Sequence, residues 1–170
     1  MTPNNGSPMK GDKLRDEHHV VRAVPFGKLR LDEHNEPIGV NYTAFLRRED
    51  EDGLSVTALE YFVAPRQAQI VAAVQAIRAS DFKPTSKSGF AIGNVGAIRE
   101  TCEARNRKIR IIHSPEQDNA AHAEIRQMPR DDLDLLELLA VGAWSELHKN
   151  KDIPPGAVSA PTQPSTTPWP

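Results

Sequence analysis

Residues 109–126, IRIIHSPEQDNAAHAEIR, hold the densest group of side chains able to do chemistry. An apolar run ends in His113, a polar turn with a proline follows, and Asn119, His122 and Glu124 come next. One imidazole at a strand end can act as general acid or base near neutral pH, because its unperturbed pKa is about 6.5. Asn119 reads as the cap of a helix over residues 120–127, and the free amide groups of a helix start favour an anion. The pattern therefore assigns catalytic roles to His113, His122 and Glu124. It assigns Asn119 a ligand-binding role, with an anionic or phosphate-bearing small molecule as the guest. A metal is not expected, since His122 and Glu124 are two residues apart and do not share a helical face. The i, i+4 histidine pair of a zinc-protease helix is also absent. A plainer reading exists for the same residues: His113 bonds a loop carbonyl, Asn119 only caps, and His122 is partly exposed.

A second group lies earlier in the chain. Strand alternation over residues 17–24, EHHVVRAV, puts His19 with Val21 on one face and His18 with Arg22 on the other. Two adjacent histidines with an arginine nearby could hold an anionic group, so His19 and Arg22 are candidate ligand-binding residues. Ser55 sits between Leu54 and Val56 on a strand and points away from them, toward a cleft. No G-x-S-x-G elbow surrounds it, so it is a binding residue rather than a nucleophile. Arg105, Arg107, Lys108 and Arg110 read as a solvated helix-to-strand turn. Cys102 lies on the apolar face of a helix, as a buried small hydrophobe. Neither G-x-G-x-x-G nor a Walker loop is present, and no cofactor follows.

The elements that must position these groups follow from periodicity. Strands are predicted over residues 17–24, 40–46, 54–57, 90–92 and 108–112, where β-branched and aromatic residues cluster. Pro65 opens an amphipathic helix whose inner face is Ile70, Val74 and Ile77. Asn94 caps a second helix buried through Val95, Ile98 and Cys102. Asp131 starts the longest helix, over residues 132–148, with Leu136, Ala140, Ala143 and Leu147 on its core face. The order predicts a single α+β domain over residues 16–150, with a mixed sheet and helices on one face. Residues 1–15 read as a disordered arm and residues 151–170 as a disordered Pro/Ser/Thr-rich tail.

Composition removes several classes of function. The chain has 170 residues, a formal net charge of −2 and a pI near 6.3, which argues against nucleic acid or an anionic membrane as partner. Its single cysteine excludes an internal disulfide and a multi-cysteine metal site. No apolar stretch is long enough to cross a bilayer and no secretory pattern opens the chain, so a cytoplasmic location is expected.

Three patches, HHVVRAV at 18–24, DGLSVTALEYF at 52–62 and HSPEQDNAAHAEI at 113–125, resemble a loose group of small uncharacterised bacterial proteins, and that resemblance implies no activity. A weaker resemblance is to ADP-ribosyl-transferring folds, through His19 or Arg22, Ser55 and Glu124 in residue type and order. The Ser-Thr-Ser run and the Glu-x-Glu or Gln-x-Glu pair of those folds are missing. Two functions stand side by side. One is an enzyme or ligand-binding domain with its cleft at the strand ending in His113. The other is a non-catalytic accessory protein that holds a partner through residues 133–147 and the tail.

Overall fold

Val20 and Val21 are neighbours in the chain and belong to two different cores. A strand sends successive side chains to opposite faces, so both faces of this sheet are packed where the first strand runs. The structure, a computed structural model, describes residues 8–80 and 82–155.

The strands are β1 (His19–Val24), β2 (Leu29–Leu31), β3 (Pro37–Val40), β4 (Gly53–Ala58), β5 (Gly89–Asn94), β6 (Arg110–His113), β7 (His122–Arg126) and β8 (Glu146–Lys149). The helices are α1 (Arg66–Ala79), α2 (Val95–Glu103) and α3 (Leu133–Leu138), which runs on into a π-helical turn, Leu139–Ala143. Six strands form one sheet in the order β6-β7-β4-β1-β5-β8, and β2 and β3 form a separate hairpin. The fold is α+β, as expected.

The first core lies on the face carrying Val20, Val56, Ala91 and Ile125, under α2 and α3. Phe45 stacks on Trp144 there, with ring centroids 4.8 Å apart. The second core lies on the opposite face, where α1 packs Ile70, Val74 and Ile77 against Val21, Phe90 and Ile92. Each such buried side chain contributes about 1.5–3 kcal/mol. No residue of β4, β6 or β7 belongs to this second core. The half of that face built by those strands instead carries Ser55, Thr57, His122 and Glu124. Alternation explains this: β4 and β7 turn Leu54, Val56, Ala123 and Ile125 to the first core, which leaves their polar residues on the other side.

Several expectations are corrected. The five pairings of the large sheet are all antiparallel rather than mixed. Helices cover both faces, not one. Residues 122–126, expected inside a helix, form β7, because their period of two matches the pairing offered by β4 and outweighs the helix propensity of alanine and glutamate. The long helix stops at the π turn, and residues 146–149 pair with β5 as β8. The strand expected over 40–46 is displaced to β3, and Tyr42–Phe45 is a 3-10 turn capped by the Asn41 side chain.

The edges of the folded part also move. Gly11 N–H donates to the His113 carbonyl at 2.8 Å, His113 N–H to Asp12 O at 2.8 Å, and Leu14 N–H to Ile111 O at 2.9 Å. The last part of the expected arm thus lines the outer edge of β6, and Leu14 is buried. At the other end Ile153 is buried, and Arg78 donates to the carbonyls of Asn150, Ile153 and Pro154. The rest of the expected arm, residues 1–7, and of the tail, residues 156–170, lie outside the described residues. Among the described residues no helix is long and apolar enough to cross a membrane.

Candidate functional site

The register between β1 and β4 consists of Val20 opposite Ala58 and Val21 opposite Thr57. On its other side β1 stays paired with β5 as far as Val24, and β4 stays paired with β7 as far as Gly53. The two central strands therefore diverge after Val21, and Arg22 fills the divergence. Its Nε donates to the Ala44 carbonyl at 2.7 Å and its Nη1 to the Ser55 carbonyl at 2.8 Å. A cleft of about 810 Å³ opens along this gap, with Arg22, Ser55, Thr57, Asn119 and His122 in its lining and Ile77 and Phe82 on its apolar side.

Arg22 dominates the electrostatics. Burial pushes its pKa down to about 10, against the opposing charge of Glu51. Among the described residues fifteen ion pairs link other groups, yet no carboxylate lies within 4.0 Å of this guanidinium. Carbonyl oxygens solvate it in part. A desolvated cation without a directly paired counter-charge is unfavourable, and an anion entering the cleft would relieve it.

The loop between β6 and β7 supplies the cleft's other polar groups. Its tip is a tight turn, with Glu116 and Asn119 exchanging backbone bonds of 3.0 and 3.1 Å. Asn119 does not cap a helix; its Oδ1 accepts from Ala121 N–H at 3.1 Å and its Nδ2 donates to Thr57 Oγ1 at 2.8 Å. His122 Nδ1 lies 2.7 Å from the Ser114 carbonyl. A carbonyl only accepts, so Nδ1 carries the hydrogen and Nε2 faces Glu116 Oε1 at 3.3 Å. The ring is thus held in one orientation with its second nitrogen toward the cleft's rim.

The other candidates lie elsewhere. His113 is opposite Ala123 and turns toward the first core, where it meets Tyr61 edge-on at 5.0 Å. Its Nε2–H donates to the Ala120 carbonyl at 2.8 Å, a closed loop contact, and it does not line the cleft. Glu124 is held by Ser114 Oγ at 3.2 Å and Arg126 Nε at 3.3 Å and is also outside the lining. His19 binds Glu60 through its backbone N–H and its Nδ1, each at 2.6 Å. Of the residues implied by the ADP-ribosyl-transferring resemblance, Arg22 and Ser55 meet and Glu124 lies opposite Ser55 in β7, while His19 turns to Glu60.

Thr57 was missed, although the alternation that singled out Ser55 also selects the residue two further on. Glu116 and Asp118, both in the lining, were passed over as turn residues. The basic run is tied down in part: Arg105 pairs with Asp132 at 3.3 Å and Arg107 with Asp131 at 3.5 Å. Cys102 is buried, and burial pushes its thiol up to about 11, so it is unreactive near neutral pH. Among the described residues no group of three His, Cys, Asp or Glu side chains could hold a metal ion. Comparison of the chain with protein-family models, with curated proteins and with solved structures finds no match.

Proposed function

We propose that the protein binds an anionic small molecule in the cleft between β1 and β4. Arg22 anchors the anion, Ser55, Thr57 and Asn119 donate hydrogen bonds to it, and His122 is the group able to exchange a proton with it. The observation that carries this reading is the desolvated Arg22 guanidinium opening into a polar cleft, with no carboxylate of the described residues within 4.0 Å of it. The reading keeps Arg22, Ser55, Asn119 and His122 from the sequence pattern and leaves out His113, Glu124 and His19.

The test is a thermal-shift and calorimetric titration with inorganic phosphate and acetate. Arg22 also braces two loops, so its removal could unfold the chain. Ser55→Asp is the sharper variant, because Ser55 is exposed and the new carboxylate would serve as Arg22's counter-charge. The wild type should be stabilised by anions and the variant should not. Equal responses in both would overturn the reading.

A second reading, an accessory protein docking a partner through residues 133–147, draws on one observation. Leu133, Leu138 and Val141 are 49%, 51% and 55% exposed, while Leu135, Leu136 and Leu139 of the same segment are buried. Only that outer stripe is open to a partner. Leu138→Glu with Val141→Glu should leave stability unchanged and abolish capture of a partner by the wild-type chain. If the wild type captures none, this reading falls.

A further inference from the structure

We infer that the ligand of this cleft is dipolar, with an oxyanion at Arg22 and an amine against Glu116 and Asp118. This rests on the anion reading above and adds the second charge. The cleft runs along β4, and its charges are segregated along that direction. Near the start of β4 the lining carries Lys28 and Arg48. Glu51, the acid at that end among the described residues, lies 3.8 Å from Arg48 and is balanced by it. Near the end of β4 the lining carries Glu116 and Asp118. Glu116 has a protonatable partner in His122 at 3.3 Å, and Asp118 has neither an ion pair nor a hydrogen bond from its side chain among the described residues.

Buried donors lie beside the acidic end. Thr57 and Asn119 are 2% and 4% exposed. The Thr57 hydroxyl accepts from Asn119, so its own hydrogen is unspent, as is the second hydrogen on Asn119 Nδ2, among the described residues. Buried donors without acceptors are costly, and both residues line the cleft. The Arg22 fork is constrained too. Its Nε and one hydrogen of Nη1 are committed to carbonyls, so it can meet an anion only end-on, through Nη2 and the remaining Nη1 hydrogen.

The spacing selects the class. The Arg22 head is bonded at Ser55, and His122 lies opposite Thr57 on the neighbouring strand. A strand rise of about 3.4 Å per residue and a strand spacing of about 4.8 Å put the backbone at Ser55 and at His122, which anchor the two charged ends, roughly 8 Å apart. That is too far for an α-amino acid zwitterion. It suits an ω-amino carboxylate, or an amine-bearing alkyl phosphate of similar length.

The experiment compares ε-aminocaproate, caproate and hexylamine, together with aminohexyl phosphate and hexyl phosphate, by calorimetry on the full chain. The amino compounds should bind roughly two- to fivefold more tightly than their amine-free counterparts, the ratio given by about 0.4–1 kcal/mol from one added solvent-exposed ion pair. Hexylamine alone should not bind. Glu116→Gln with Asp118→Asn, both exposed positions, should erase the ratio and leave caproate or hexyl phosphate binding in place. The preferred head group, carboxylate or phosphate, is read from which series binds. If the amine-free anions bind as tightly as the amino compounds, the dipolar inference is wrong and the anion reading stands. If no anion of either series binds, the anion reading falls and this inference with it.

Discussion

The Asn119 amide donates to the Thr57 hydroxyl at 2.8 Å, and both side chains are buried. This bond ties the loop between β6 and β7 to the end of β4, and so fixes one end of the cleft. Asn119→Ala should cost about 1–3 kcal/mol, the range for leaving buried partners unsatisfied. Thr57→Val should cost less in the Asn119→Ala background than in the wild type, because the partner is already gone. Denaturant midpoints of the two single variants and the double variant check this. Strictly additive losses would mean that the bond does not couple the two elements.

The alternation of Leu54, Ser55 and Val56 was legible because a period of two survives in any antiparallel sheet with one packed face. The inner face of α1 was legible for the same kind of reason, since Ile70, Val74 and Ile77 repeat at helical spacing. The role of Arg22 was not. It depends on β1 and β4 separating after Val21 while β5 and β7 stay paired on their outer sides, and no local pattern encodes that. Residues 120–127 misled because Ala-Ala-His-Ala-Glu has helical propensity, while the signal for β7 lies in its partner. Leu147 misled likewise: it sits at helical spacing from Ala143, yet lies opposite Ala91 in the sheet.

Asp132 gives a pH prediction. Its side chain accepts from Leu135 N–H at 3.1 Å at the start of α3 and lies 3.3 Å from Arg105. The backbone bond first, and then Arg105, hold its carboxyl below the ordinary carboxylate range in the folded protein. A folded pKa below the unfolded one means stabilisation that is fully present above about pH 3.9 and lost as pH falls through the folded value. Asp132→Asn keeps a capping side chain but does not titrate. Urea midpoints measured from neutral pH down to strong acid should therefore fall less steeply for the variant. Parallel acid limbs would show that this carboxyl does not contribute.

The segment before β1 should matter for stability, because Leu14 is buried and its neighbours bond the outer edge of β6. Removing residues 1–15 strips the Leu14 side chain, worth about 1.5–3 kcal/mol. It also bares an edge strand, and open edges invite pairing with another chain. The truncated protein should show a lower denaturant midpoint and a concentration-dependent shift to larger species in size-exclusion chromatography. An unchanged midpoint and a single elution position would mean that the segment adds nothing to the fold.

His113 separates the structural role of its loop contact from the chemistry its position in the sequence suggested. The ring is 4% exposed, packs edge-on against Tyr61, and is fixed by the bond from Nε2–H to the Ala120 carbonyl. Among the described residues its Nδ1 is buried without a partner. Replacing it with alanine removes the donor, leaves the Ala120 carbonyl short of a partner and opens a void beside Tyr61. The lost hydrogen bond alone should cost about 1–3 kcal/mol. Glutamine places an amide N–H near the position of Nε2, so His113→Gln should recover part of that loss. The cleft opens between β1 and β4 and His113 is not in its lining, so phosphate should stabilise His113→Ala by as much as it stabilises the wild type. Thermal melts of the three proteins with and without phosphate decide the matter. A His113→Ala variant with wild-type stability and no anion response would return His113 to the site and contradict the assignment to Arg22, Ser55, Asn119 and His122.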